Sequence, residues 1–543
     1  MKMTGGEAVA RTLEALGVTH VFSIVSVHNL PIYDALDRSD IEVVACRHEQ
    51  FATHAADGYA RATGRLGVVL ASTGPGTTNA LSGLYEAQFG SSPVLLVTGQ
   101  AETAYYGKGK GFLHESDRQL DLLRPVTRRA ETAWRTEDVA RVIASVGRDC
   151  LTGRPQPGAV EIPIDQQYRE ADVTDADLGP IERLRPPAED IARAAALLEG
   201  AERPLLWAGG GVISAGGGPE LVALAERIWA PVVTTIEGRG AIPEDHELAL
   251  GPRTERSPVA ALVEQADVVV AVGTRFQNYS TRMWKLAIPG RIIHIDADPT
   301  VIGRNYPVEV GVVGDAKLGL AALFDAVSER DHDAGATSRV RDAVEADLEQ
   351  SHKEIGPDHR DVAVAIRAAL PRDGIVVRDS TVPSYLWGNR ILPILEPRTS
   401  IRPSSLAIGP GIGLAVGAAA GTGRPTVLIV GDGGLQLGLG ELATLAQYRL
   451  PVVVCVFNDG GYGVLRTVQD AVMGRTFGVD IHTPDFAALA AAFGMRSESV
   501  SGVAGFEQAF GAAVQAPGPT LLDIDMSSLA PLEFPLPAHQ RRR

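Results

Sequence analysis

Val427-Leu-Ile-Val430 leading into Gly431-Asp432-Gly433-Gly434, and then, one helix and one strand later, Phe457-Asn458-Asp459-Gly460-Gly461-Tyr462-Gly463, is the stretch that decides the fold of this 543-residue chain. A β-branched apolar run ending in GDGG reads as a buried strand whose carboxyl end opens into a turn, where backbone N–H groups can approach an anion. Glu441 to Arg449 reads as the return helix, with Leu442, Leu445 and Ala446 on one face, and Pro451 to Phe457 as a second apolar strand. In such a βαβ unit the strands are parallel neighbours, and their carboxyl ends share one edge. Asp432 and Asp459, 27 positions apart, are therefore delivered side by side. Oxygen donors beside a glycine-rich cradle suit a hard cation, Mg²⁺, bridging a diphosphate, because Mg²⁺ divides its octahedral shell between a few side chains, water and phosphate. A lone GDG is also a plain strand-to-helix turn; the second Gly-rich turn at this spacing favours the cation.

Outward from this unit the same alternation recurs. The chain is too long for one core and reads as three α/β, doubly wound, mostly parallel-sheet domains: 1–178, 188–330 and 358–543. In the first, Thr4 and Glu7 form a capping-box pattern, strands are expected at His20 to Phe22, Ile41 to Cys46, Gly67 to Ser72 and Pro93 to Thr98, and Arg47-His48-Glu49-Gln50 opens a helix. The middle third carries strands at Pro204 to Trp207, Pro231 to Ile236, Ala266 to Val272 and Arg291 to Ile295, followed by Gly-rich turns that either reverse the chain or cradle a nucleotide. A charged helix, Ser338 to Glu354, and a join near Pro357 lead to the last domain, and Pro535 to Arg543 reads as a solvated tail. A net charge of −16 offers no basic footprint for nucleic acid or an anionic membrane. Cys46, Cys150 and Cys455 are scattered in or beside apolar runs, as expected of core thiols in a reducing compartment. With no apolar run long enough to span a bilayer and no signal-peptide pattern, a cytoplasmic location is expected.

The GDGG…NDGG pair resembles the diphosphate and Mg²⁺ motif of thiamine diphosphate (ThDP) enzymes, with Asn458-Asp459 where two asparagines are usual. That resemblance implies metal ligation by Asp432, Asp459 and the Gly461 carbonyl, with Gly433, Gly434, Tyr462 and Gly463 lining the diphosphate site. Arg47-His-Glu-Gln50, the following HAADGYAR and the STGPG turn with Asn79 look like the pyrimidine-binding domain of the acetolactate synthase and benzaldehyde lyase group. By that likeness Glu49 hydrogen-bonds the aminopyrimidine ring and drives its imino form, although a glutamate at a helix N-terminus is also explained by the helix dipole alone. Ser405 to Gly411 resembles the segment that bends the coenzyme. It implies Ile408 as the wedge between the two rings, the Leu406 carbonyl as acceptor for the 4′-amino group, and Thr381 as a diphosphate contact. Ordinary core packing is the competing account of Ile408.

Substrate residues are less legible. His28, 21 residues before Glu49, lies at the offset where benzaldehyde lyase-like enzymes place a histidine, and His114 lies where acetolactate synthases carry glutamine. Two histidines near one carbonyl suit proton transfer at neutral pH, while each alone reads as a satisfied loop histidine. Ser72 lies where benzoylformate decarboxylases keep a histidine; Val464, Val468 and Gln469 match pocket-lining positions; Ile164 replaces the lysine usual in acetolactate synthases. The resemblance implies a C–C lyase or carboligase acting on 2-oxo acids, aldehydes or acyloins through an enamine intermediate, working as a homodimer or homotetramer with sites between subunits. The alternatives are an acetolactate synthase-like enzyme with FAD, or another nucleotide, in its central domain, and a catalytically silent paralogue, against which Glu49 argues. A nicotinamide dehydrogenase using the Gly-rich turns is disfavoured, because no GxGxxG follows the chain's first strand.

Overall fold

The computed structural model describes residues 1–255 and 257–532, so the tail expected from Pro535 lies outside the described residues. Three six-stranded sheets, parallel throughout, carry the chain. The first runs in space Glu42–Ala45, His20–Ser23, Gly67–Ala71, Val94–Gln100, Gly158–Pro163, Arg129–Thr132. The third repeats that winding with Ser400–Ile401, Ile375–Arg378, Thr426–Gly431, Val452–Asn458, Thr520–Asp525, Arg496–Val500. In both, the order reverses beside the first strand, so the loops leaving the first and third strands diverge and open a crevice at the carboxyl edge. The central sheet, Ala249–Gly251, Val232–Thr234, Pro204–Ala208, Val268–Val272, Arg291–Asp296, Val310–Val313, reverses between Pro204–Ala208 and Val268–Val272.

The deciding βαβ unit has the expected form: Thr426–Gly431 lies parallel to Val452–Asn458, with Gly431 opposite Phe457. The capping box at Thr4 is formed in both directions with Glu7. Short strands at Arg129–Thr132, Ala249–Gly251 and Ser400–Ile401 have too few apolar residues to announce themselves, and Lys2–Thr4 pairs antiparallel with Glu170–Asp172 at a distance no local pattern reveals. The expected helix from Ser338 is longer, Ala334–Ala369, and breaks at Gly356 (φ 76°, ψ 170°) before Pro357. That backbone shape suits glycine, and proline then removes the hydrogen bond that would have continued the turn.

The first and third domains meet along two helices, Glu49–Thr63 and Gly411–Thr422, the second with every residue from Gly411 to Ala419 buried. A side chain at Gly58 would meet the Leu414 carbonyl oxygen at 2.1 Å, and one at Gly417 the Ala55 oxygen at 1.7 Å. The two backbones therefore touch, and apolar contact extends from one sheet through both helices to the other. Among the described residues no helix is long and apolar enough to cross a membrane.

Candidate active site

Asp432 begins a short helix directly after its strand, inside the crevice of the third sheet, and is almost fully buried. Burial, and then the neighbouring Asp459, push its carboxyl up to about 6, against the backbone N–H groups of Asp459, Asp432 and Gly433. Its Oδ2 is buried with no hydrogen-bond partner. Asp459 is likewise raised by burial, with Arg466 and the Gly461 N–H acting in the opposite direction. Three glycines around this pair leave no room for a side chain: a Cβ on Gly433 would meet the Tyr462 ring at 2.7 Å, one on Gly431 the Thr381 hydroxyl at 2.9 Å, and one on Gly463 the Asp459 carboxylate at 1.8 Å. A buried carboxylate with an unpaired oxygen and a second, partly exposed one beside it, in a cradle of glycines, fit a divalent cation with an anionic ligand, because unbalanced charge at a partly desolvated site is otherwise expensive. Among the described residues no group of three or more His, Cys, Asp or Glu side chains could hold a metal, so the remaining donors would be the Gly461 carbonyl, the ligand and water.

The loop Ser404 to Gly411 borders this crevice and is fastened from both sides. Asp379, at the end of the first strand, accepts from Gly409 N (2.9 Å), Gly411 N (2.8 Å) and Ser380 N (2.6 Å), and burial raises its carboxyl despite these donors. From the first domain, Glu86 accepts from Ser404 N, Ser405 N and the Ser405 hydroxyl. Burial alone would raise Glu86, but Arg61 and the serine donors outweigh it and hold it low. Between these anchors Leu406 adopts φ 64°, a conformation that disfavours a side chain with a Cβ, and Leu406 and Ile408 stand 41% and 37% exposed. Both side chains therefore lie outside the packed core of the third domain. The Leu406 carbonyl accepts from the Ser380 hydroxyl at 3.0 Å and keeps its second lone pair.

A second cluster forms at the carboxyl edge of the first sheet. Glu49 heads its helix and accepts from Asn79 Nδ2 at 3.0 Å. A Cβ on Gly76 would lie 3.1 Å from Glu49 Oε1 and 2.9 Å from Ser72 Cβ, so both side chains crowd the space beside one glycine. His28 is buried, its Nδ1 is 3.4 Å from the Ser72 hydroxyl, and its ring stacks on that of His114 with centroids 5.1 Å apart. Burial first, and then the charge His114 would carry, hold His28 below the ordinary histidine range. None of the hydrogen bonds or ion pairs among the described residues joins Glu49 to Asp432 or Asp459.

Residues 3–122 match the thiamine pyrophosphate enzyme N-terminal TPP binding domain, 191–323 its central domain and 382–524 its C-terminal TPP binding domain. The chain belongs to the thiamine pyrophosphate enzymes. It is 33% identical to a probable acetolactate synthase large subunit of Methanocaldococcus jannaschii, over 96% of this chain and 92% of the relative. To a probable 2-ketoarginine decarboxylase of Pseudomonas aeruginosa it is 34% identical, over 96% and 94%. A solved Mycobacterium smegmatis protein described as thiamin diphosphate-dependent superposes with a TM-score of 0.81 at 25% identity, covering 96% of this chain and 99% of that one. The protein is a ThDP-dependent enzyme of the class that contains carboligases and decarboxylases.

The central domain of this thiamine pyrophosphate enzyme opens on a cavity of about 380 Å³ where its sheet reverses order, lined by Gly210, Gly211, Arg275 and Asp296 and closed by Arg61 and Arg402 from the flanking domains. Burial and the nearby Arg154 lower Arg275 to about 10, and Arg402 Nη1 is buried without a partner, so the cavity suits an anionic ligand. On the third domain Val464 and Val468 lie half-buried on the helix Gly463–Met473, Val464 packing against the core. Gln469 spends its amide on the backbone of Phe477, donating to the carbonyl at 3.1 Å and accepting from the N–H at 2.8 Å. Asp379 and Glu86 went unread in the sequence. An aspartate straight after the strand Ile375–Arg378, in the same place as Asp432 after Thr426–Gly431, was the available signal for the first.

Proposed function

We propose that this enzyme uses ThDP with Mg²⁺ to break and make C–C bonds of 2-oxo acids or acyloins, releasing or joining aldehydes. Bound ThDP supplies carbanion chemistry at its thiazolium carbon. The chain's residues do the rest. Asp432, Asp459 and the Gly461 carbonyl hold the cation, the turns Gly433-Gly434 and Tyr462-Gly463 and Thr381 receive the diphosphate, and Leu406 and Ile408 support the rings. Glu49, fixed by Asn79, orients and polarises the aminopyrimidine. His28 and His114 exchange protons with the substrate oxygen, and Ser72 orients His28. Val464 and Val468 shape an apolar acyl site, and Gln469 sets the neighbouring loop. In this reading the Glu49 cluster of one subunit faces the Asp432 cluster of another, so a homodimer, or a tetramer of paired dimers, is the working unit.

The observation that carries the reading is the stacked pair His28 and His114, with Ser72, beside the Glu49 cluster: proton-transfer groups where a carbonyl would meet the coenzyme. Incubation with ThDP, Mg²⁺ and a panel of 2-oxo acids and acyloins, 2-ketoarginine and pyruvate included, with products identified by mass, tests it. Aldehyde or acyloin products that require Glu49 support the reading, and acetolactate from pyruvate as the main product replaces it with the acetolactate synthase-like alternative. The arginine-rich central cavity favours a nucleotide there, FAD among the candidates, and flavin absorbance that survives gel filtration decides that point.

A further inference from the structure

The second metal position raises a charge problem. An aspartate there, where the motif this stretch resembles carries asparagine, puts a second carboxylate beside Asp432 at the same sheet edge. The structure supplies a cation of its own next to them. Arg466, on the helix that follows the turn, has Nη1 3.9 Å from Asp459 Oδ1 and 3.4 Å from the Asp459 carbonyl oxygen, and donates from Nη2 to the Gly460 carbonyl at 3.3 Å. Its Nε donates to Asp480 at 2.9 Å, and Asp480 lies across from Gly461 in an isolated antiparallel bridge. Val479, next to Asp480, accepts from Tyr462 N at 2.9 Å. The guanidinium thus joins both walls of the turn, and it is only about one third exposed.

We propose that Arg466 is the counter-charge to the aspartate at the second metal position: it offsets the charge Asp459 adds over an amide and so moderates the affinity for the cation. The inference rests on the reading that Asp432 and Asp459 hold the cation. Asp432, Asp459 and Arg466 sum to the same charge as an aspartate, an asparagine and a neutral residue, while Asp480, the other partner of the guanidinium, is 72% exposed and its charge is screened by water. A change at either Asp459 or Arg466 alone alters metal affinity, in opposite directions, and changing both restores it. Arg466 is therefore a positioning residue that acts through Asp459.

The test is Mn²⁺ binding, read from loss of the free-ion electron paramagnetic resonance signal, on the full-length protein with saturating ThDP and no substrate. Unit charges at this separation in a partly solvated site change divalent affinity about tenfold. D459N is expected to bind about tenfold more weakly than wild type, R466Q about tenfold more tightly, and D459N/R466Q within about threefold of wild type. R466K, which keeps the charge on a different head group, stays within about threefold of wild type. A merely structural clamp predicts the opposite sign for R466Q, so weaker binding in R466Q, or a double variant no better than D459N, overturns the proposal. Should R466Q fail to fold, R466K carries the decision, and a loss there beyond about tenfold overturns it. Absence of ThDP-dependent Mn²⁺ uptake by the wild type defeats the metal-site reading itself, and is distinguishable because no variant then differs.

Discussion

Asp379→Asn tests whether the loop that carries Leu406 and Ile408 is held ready for the coenzyme by one buried carboxylate. The substitution keeps Oδ1, so the bonds from Gly409 N at 2.9 Å and Ser380 N at 2.6 Å survive, but it turns an NH₂ group toward Gly411 N, which now donates at 2.8 Å to Oδ2. A hydrogen bond to a charged group is worth about 1.5–3 kcal/mol, and the donor left facing a donor adds to the loss. Burial already disfavours the charge on Asp379, so a neutral amide recovers part of this. The net is about 2 kcal/mol, a rise of about 30-fold in the ThDP dissociation constant. Asp379→Ala strands all three N–H groups and costs more, about 3 kcal/mol or above, with a lowered melting temperature. Isothermal titration calorimetry with ThDP at saturating Mg²⁺ reads both. If Asp379→Asn binds ThDP within about twofold of wild type, or Asp379→Ala loses no more than Asp379→Asn, the loop is not held in the way argued.

Glu49→Gln is expected to lower kcat by at least about 10²-fold while ThDP affinity changes by less than about tenfold, since proton handling rather than contact area is removed; steady-state kinetics beside the binding isotherm check both halves. His114→Asn removes the charge that helps hold His28 low, so the acid limb of the kcat/KM profile should move to higher pH, and an unmoved limb separates the two rings functionally. His54, buried between the paired helices with both ring nitrogens unpartnered, is lowered to about 4 by burial. Its folded pKa lies below the unfolded value, so the unfolded chain takes up a proton that the fold refuses. That costs stability progressively as pH falls from about 6.5 toward 4, amounting to about 2 kcal/mol at pH 5. His54→Leu should therefore lose less melting temperature than wild type between pH 7 and pH 5.

Much of the architecture was legible because parallel strands buried on both faces write continuous apolar runs, as Val427 to Val430 and Val452 to Phe457 do. The juxtaposition of Asp432 and Asp459 was legible for the same reason: parallel neighbours bring both to one edge whatever the helix between them does. Glu49 and Ile408 came from resemblance, since neither helix dipole nor core packing singles them out. What stayed hidden is what depends on contacts far apart in sequence. Glu86 reaches Ser404 and Ser405 across more than 300 residues, and Asp379 reaches Gly409 and Gly411 across about 30. The contact of the Glu49–Thr63 and Gly411–Thr422 helices needs glycine at 58 and 417, and those glycines were visible only as part of runs of small residues.

The account turns on whether a carboxylate of the first domain and the acidic pair of the third act on one coenzyme. A crystal structure of the full-length protein grown with ThDP and Mg²⁺ tests this most directly. The expected result is a cation about 2.1 Å from carboxylate oxygens of Asp432 and Asp459 and from the Gly461 carbonyl, with Glu49 of a neighbouring subunit hydrogen-bonded to the pyrimidine of the same ThDP. A coenzyme bound elsewhere, or a Glu49 beyond hydrogen-bond reach of every ThDP in the assembly, contradicts it.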